Sequence, residues 1–172
     1  FLVFDLSRVQ VAEATPFPIY KLIEKKPVRW REAGLPFTQT EIHRIAGFGP
    51  EEVFCLENTA LEAWARFLEG RYFKCEAQGL LSDEKHLELL EDAVTKSLQA
   101  LYQRPNSEEI RTSIDRQAMA IVRFADSKTW LSSARQDLGY LFRVTVLSCS
   151  IARFLAMSAK QVHQLAVGSL LQ

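Results

Sequence analysis

From Tyr140 to Gln172, small and apolar residues recur at steps of three and four, which restricts this stretch to helices that bury one face. The first segment, YLFRVTVLSCSIARFLA, places Leu141, Thr145, Ser148, Cys149, Ala152 and Leu155 on one side. Ser158 and Gln161 then form the S-x-x-Q capping box, in which each side chain takes up a free backbone N–H at a helix start. The second segment carries Val162, Leu165, Ala166, Ser169 and Leu170 on its apolar side. Two helices with small contact residues, joined by a tight turn, are expected to pack as a hairpin.

Three longer stripes precede the hairpin. Asn58 can cap a helix whose apolar positions are Leu61, Trp64, Ala65, Leu68 and Tyr72, closed by Gly79. Ser82 opens the next, with Asp83 and Glu84 in the first turn, where the helix dipole favours negative charge, and a stripe of Leu87, Leu90, Val94, Leu98 and Leu101. Asn106 and Glu109 are expected to cap a third, with Ile110, Ile114, Ala118, Ile121, Val122 and Ala125 facing inward. A short helix is expected from Thr129 to Leu138.

The first residues have a different rhythm. Phe1–Leu6 reads as a strand, and Ile19, Lys21 and Ile23 alternate as in a second strand, which Pro16 and Pro18 place at an edge or a bend. Pro27–Arg31 is expected to put Val28 and Trp30 on one face and Arg29 and Arg31 on the other. Thr38 and Glu41 form a further capping box before Ile42 and Ile45, with Gly47 and Gly49 ending the helix and Glu52–Leu56 as a last strand. The fold class is therefore α+β: a small β-rich N-terminal domain of order β-β-β-α-β over residues 1–57, then a mainly α-helical region over 58–172. The boundary is expected near Glu57.

Lys+Arg and Asp+Glu number 21 each, so the chain lacks the excess positive charge that DNA binding draws on. Cys55, Cys75 and Cys149 are scattered, odd in number and without a C-x-x-C pair, which excludes a disulfide framework and a zinc cluster and points to a reduced cytoplasmic setting. Arg143 and Arg153 interrupt the most apolar stretch, and no uninterrupted apolar run reaches the roughly 18 residues of a membrane span. The start at Phe1 and the stop at Gln172 lead to the expectation that the polypeptide continues past both ends.

Candidate chemistry is sparse. His43, His86 and His163 stand alone, and the first two fall on polar faces; three isolated histidines do not make a metal site. The carboxylates gather at helix starts and on polar faces, where capping and solvation account for them. Arg29 and Arg31 flank Trp30, a grouping that can hold a nucleotide by stacking and ion pairing. The plainer arrangement buries Trp30 and solvates both arginines.

Tyr140-Leu-Phe-Arg-Val-Thr145, Phe154-Leu-Ala-Met-Ser158 and Ala166-Val-Gly-Ser-Leu-Leu-Gln172 resemble the helix pair that opens the catalytic core of the bacterial HD and HD-GYP phosphohydrolases. In that family the first helix ends in a stretch like Ala-x-x-Leu-Gly-Leu-Ser, and the second runs into a His-Asp pair. The N-terminal residues are similar to the small domains that precede such cores, in Pro16-Phe-Pro-Ile-Tyr20, Ala33-Gly-Leu-Pro-Phe-Thr38 and Gly49-Pro-Glu-Glu-Val-Phe54. The resemblance implies a core that binds two Fe, Mn or Zn ions and hydrolyses cyclic di-GMP. It also places Val144 and Gln172 where the family has ligand histidines. Valine cannot ligate, and a neutral amide is a far poorer ligand than imidazole for these metals. The resulting expectation is a non-catalytic cytoplasmic regulatory or signalling protein with no cofactor in this chain, acting by sensing or through a protein partner or homodimer. The alternative is the N-terminal part of an active two-metal phosphodiesterase. Arg29, Trp30, Arg31, Arg143 and His163 are the residues expected to contact a ligand, cyclic di-GMP included, or a partner.

Overall fold

The computed structural model describes residues 1–79, 82–125 and 139–171. The helix expected from Thr129 to Leu138 lies outside the described residues, as does Gln172. The chain divides into two compact units, Phe1–Phe67 and Leu68–Gln172. The division falls inside a helix rather than at its start near Glu57, because Trp64 and Phe67 belong to the aromatic core of the first unit. Trp64 packs on Phe4 with ring centroids 5.5 Å apart, and Phe67 on Phe17 at 6.1 Å.

The first unit is built on a four-stranded antiparallel sheet. Strands β1 (Leu2–Val3), β2 (Ile19–Ile23), β3 (Lys26–Arg31) and β4 (Phe54–Leu56) lie in the order β1-β4-β2-β3. Leu2 pairs with Leu56, Lys21 with Phe54, and Ile23 with Lys26. Helix α1 (Gln39–Ile45) is inserted between β3 and β4. The first strand is shorter than expected. After Val3 the Asp5 carboxylate accepts from the Ser7 amide at 3.0 Å and draws Leu6–Arg8 into a 3₁₀ turn, a local bond that competes with the ladder. Phe4, Phe17, Ile19, Phe37 and Leu56 form the interior.

The alternation expected on β3 fails at one residue. Ile19 pairs with Arg31 and Tyr20 with Arg29, leaving Trp30 unpaired. This is a β-bulge, and an extra residue in one strand re-aims the side chains beside it. Arg29 therefore stays in solvent while Arg31 turns inward and is only 9% exposed.

Arg31 organises the turn between β3 and α1. It forms an ion pair with Glu41 and donates to the carbonyls of Leu35 at 3.1 Å and Pro36 at 2.8 Å, with its guanidinium 4.0 Å from the Phe37 ring centroid. Gly34, with φ +79°, supplies the left-handed turn that returns these carbonyls toward Arg31. Thr38 and Glu41 complete the capping box: the Thr38 amide donates to Glu41 at 2.8 Å, and the Glu41 amide donates to Thr38 Oγ1 at 3.2 Å. At its far end α1 closes on Ala46, and neither Gly47 nor Gly49 adopts positive φ, so the expected glycine caps are not used.

The second unit holds the C-terminal part of α2 (Leu61–Gln78), and α3 (Asp83–Gln103), α4 (Glu108–Ala125), α5 (Tyr140–Phe154) and α6 (Ala159–Leu170). The expected stripes of α2 and α4 are buried throughout, as are Leu87, Leu90, Val94 and Leu98 of α3, while Leu101 is half-buried. Gly79, at φ +60°, closes α2. Helix α4 is capped by Ser107 rather than Asn106. The Ser107 amide donates back to Arg104 O at 3.1 Å, which puts Asn106 inside the turn, and Ser107 Oγ accepts from the Ile110 amide at 3.3 Å.

Removing the Arg31 guanidinium strands a half-buried carboxylate and two carbonyls. Arg31→Ala is expected to destabilise the chain by about 2–4 kcal/mol in urea denaturation followed by circular dichroism, with Arg31→Lys intermediate because it keeps the charge and loses the fork. The Thr38 backbone amide, then the Thr38 hydroxyl and Arg31, hold the Glu41 carboxyl below the usual carboxylate range. As pH falls the unfolded chain binds this proton first. The contribution of Glu41 is therefore complete above an unfolded-state value near about pH 4 and is lost as pH falls through the folded-state value. Glu41→Gln should flatten the acid limb of a stability-versus-pH curve and leave its neutral slope unchanged.

Candidate functional site

Helices α5 and α6 form the hairpin that the helical periods require. Helix α5 leaves its last turn through two bonds, Ala156 N to Arg153 O at 2.9 Å and Met157 N to Ala152 O at 3.0 Å. This pair is the Schellman termination, whose turning residue is left-handed and usually glycine. Here it is Ala156, at φ +57°. Ala156 stands where the resembled Ala-x-x-Leu-Gly-Leu-Ser stretch has its glycine, so the backbone path is kept by a residue that strains to follow it. Two residues on, Ser158 and Gln161 complete their capping box: the Ser158 amide donates to Gln161 at 2.9 Å, and the Gln161 amide donates to Ser158 Oγ at 3.4 Å.

The buried face of α5 is rotated from the one expected. Phe142, Thr145, Val146, Cys149 and Ala152 are buried, Leu141 and Ser148 are half-buried, and Leu155 is exposed. The larger Phe142 and Val146 remove more apolar area from water than Leu141 and Ser148, and their burial sets the rotation. The consequence is a row of exposed apolar side chains, Leu147, Ile151 and Phe154, the last 90% exposed. On α6, Val162, Ala166, Ser169 and Leu170 are buried as expected.

Val144 is half-buried on α5 and offers no lone pair. Arg143 beside it is half-buried, with its Nε lacking a hydrogen bond among the described residues. His163 on α6 turns to α4: its Nε2 lies 3.2 Å from Asp115 Oδ1 and 3.4 Å from the Asp115 carbonyl oxygen. Of the two positions that the resemblance assigns to a metal, Val144 cannot ligate and Gln172 lies outside the described residues. Arg143 and His163, expected to meet a ligand or a partner, are a guanidinium without an acceptor and an imidazole that faces Asp115.

Arg29, Trp30 and Arg31, consecutive in sequence, meet three different surroundings. Arg29 lies over the Tyr20 ring at 5.7 Å and pairs with Glu32 at 3.2 Å, while the Tyr20 hydroxyl donates to Glu57 at 2.6 Å. Trp30 is half-buried in a cluster with Phe54 at 5.1 Å and Phe48 at 6.3 Å, with the Arg44 guanidinium 5.8 Å from its ring centroid. Arg31 is occupied by Glu41. A clamp of two arginines around one tryptophan is not formed.

Sequence patterning alone missed a polar group inside the bundle. Gln117 Nε2 donates to Ser97 Oγ at 2.9 Å and to Ser113 Oγ at 3.1 Å, all three residues are fully buried, and Gln117 Oε1 has no partner among the described residues. An unpartnered buried acceptor costs about 1–3 kcal/mol. The signal was available, since Gln117 sits on the stripe between Ile114 and Ile121. Glu69 is likewise buried and meets Arg116 at 3.1 Å. Burial, with Glu76 adding to it, pushes the Tyr72 hydroxyl above its ordinary range, and the same Glu76 pairs with Arg123 at 3.1 Å.

No protein-family model matches the chain, and no curated protein matches it. A solved structure does: Bd1817, described as an HDG"Y"P protein, from Bdellovibrio bacteriovorus. The two superpose with a TM-score of 0.59 at 14% sequence identity, over 99% of this chain and 58% of that one. The chain has an HD-GYP-like fold. It spans less than two thirds of the length of the structure it resembles.

Replacing Ala156 by glycine relieves the left-handed strain, which costs alanine about 1–2 kcal/mol, against the extra freedom glycine gives the unfolded chain. Ala156→Gly is expected to stabilise the protein by up to about 1 kcal/mol in urea denaturation, whereas Ala156→Val should destabilise it.

Proposed function

We propose that this chain belongs to a cytoplasmic regulatory protein that keeps an HD-GYP-like frame without its metal chemistry and acts through a protein partner, a second copy of itself included. The observation that carries the reading is the α5–α6 hairpin. Its backbone devices, the Schellman turn at Ala156 and the capping box of Ser158 and Gln161, follow the family pattern, while the resemblance puts Val144 at a position that in the family must ligate. The exposed row of Leu147, Ile151 and Phe154 supports a partner contact, since contiguous exposed apolar side chains mark interaction surfaces. Among the described helices none is long and apolar enough to cross a membrane. Cyclic di-GMP is the ligand class that the family frame suggests, and Arg143 of the helical unit is the cation proposed to meet it.

The likeness to an HDG"Y"P protein that extends well beyond this chain favours one competing reading, the N-terminal part of an active two-metal cyclic di-GMP phosphodiesterase. Metal content separates the two. The full natural polypeptide, purified without chelators and analysed by mass spectrometry, is expected to carry no stoichiometric transition metal and to leave cyclic di-GMP intact. About two ions per chain together with hydrolysis would establish the enzyme, because paired metals supply both the nucleophile and the charge stabilisation for phosphodiester cleavage.

A further inference from the structure

At one end of the helical unit, the last turn of α3, the turn after it, the first turns of α4 and the end of α6 enclose an open cleft of about 720 Å³. Leu101, Pro105, Ile114, Val167 and Leu171 line it, together with Tyr102, which is 73% exposed. That volume lies within the range of small-molecule sites, which are mostly apolar with a few placed polar groups.

The polar groups of this cleft are unequally satisfied. Thr112 Oγ1 donates back to Glu108 O at 2.9 Å. Asp115 is answered by His163 at 3.2 Å. Arg111 donates to the Pro105 carbonyl at 2.6 Å, which fixes its side chain across the turn, and no carboxylate pairs with it among the described residues. The cleft thus presents an apolar basin beside a positioned guanidinium whose charge is unmatched. A carboxylate is the complement of a guanidinium fork, and an aliphatic body is the complement of the basin.

We propose that this cleft binds an aliphatic monocarboxylate, its chain against Leu101, Ile114 and Val167 and its carboxylate on Arg111. Neither metal chemistry nor the α5 surface enters into this site.

Isothermal titration of decanoate, below its micelle concentration, into the full natural polypeptide tests the proposal, with decyltrimethylammonium as the cationic control. Saturable binding of decanoate is expected, weakened about tenfold or more in Arg111→Gln, as befits loss of a charge-assisted pair. Val167→Trp fills the basin and should abolish binding; its helical circular dichroism must match the parent. Arg111 is exposed, so Arg111→Gln tests the proposal even if Val167→Trp fails to fold. Unchanged affinity in Arg111→Gln overturns the proposal, and so does equal binding of decyltrimethylammonium. Absence of any decanoate binding overturns it as well, since the cleft is then closed or inert in the whole protein.

Discussion

Arg31 carries a full charge into the interior of the N-terminal unit, and the neighbouring chain is shaped to answer it. Burying an ion is costly unless partners surround it, and each element here supplies one. The bulge at Trp30 turns the side chain inward, the left-handed Gly34 returns the carbonyls of Leu35 and Pro36, and the first turn of α1 presents Glu41. Glu41 also closes the capping box with Thr38, so one carboxylate joins the sheet, the turn and the helix start. The Ala-Gly-Leu-Pro-Phe-Thr run thereby has a physical content. Glycine makes the turn, the carbonyls of leucine and proline receive the guanidinium, phenylalanine lies under it, and threonine starts the helix.

Features set by local chemistry were legible in the sequence. Both capping boxes were readable because they need only a hydroxyl, a carboxylate or amide and a spacing of three. The helical stripes of α2 and α4 were readable because the 3.6 period selects one face. What escaped depends on neighbours distant in sequence. The bulge between β2 and β3 cannot be seen in β3 alone, and without it Arg29 and Arg31 appear equivalent. The rotation of α5 is set by how well Phe142 and Val146 fill the bundle, and a stripe of small residues on the adjacent face pointed elsewhere. The pairing of His163 with Asp115 joins residues 48 positions apart that belong to different helices.

Under the regulatory reading proposed above, the helical unit keeps a frame apart from its chemistry. A hairpin is specified by its end turns and its packed face, and α5 and α6 retain both. A metal site is specified by a few side chains that contribute little to folding, and on the proposed reading Val144 would stand at a ligand position without disturbing the backbone. Ala156 shows the same tolerance from the opposite side. The backbone insists on a left-handed residue there, and the surrounding contacts hold alanine in it. A fold under such constraints can outlast the residues that gave it an activity, and its surfaces then become the part open to new use.

The buried trio of Ser97, Ser113 and Gln117 acts on alignment rather than on strength. Much of the apolar face of α4 is alanine and isoleucine, which would accept α3 displaced by a turn with modest loss. The bond between Gln117 and Ser113 lies within α4 and survives such a displacement, but the bond from Gln117 to Ser97 crosses to α3, and sliding either helix would leave the Ser97 hydroxyl dry and unmatched. The unpartnered oxygen of Gln117 already weakens the native arrangement. In return, a misaligned arrangement would also lose the bond between Ser97 and Gln117, so the trio favours one alignment of α3 on α4.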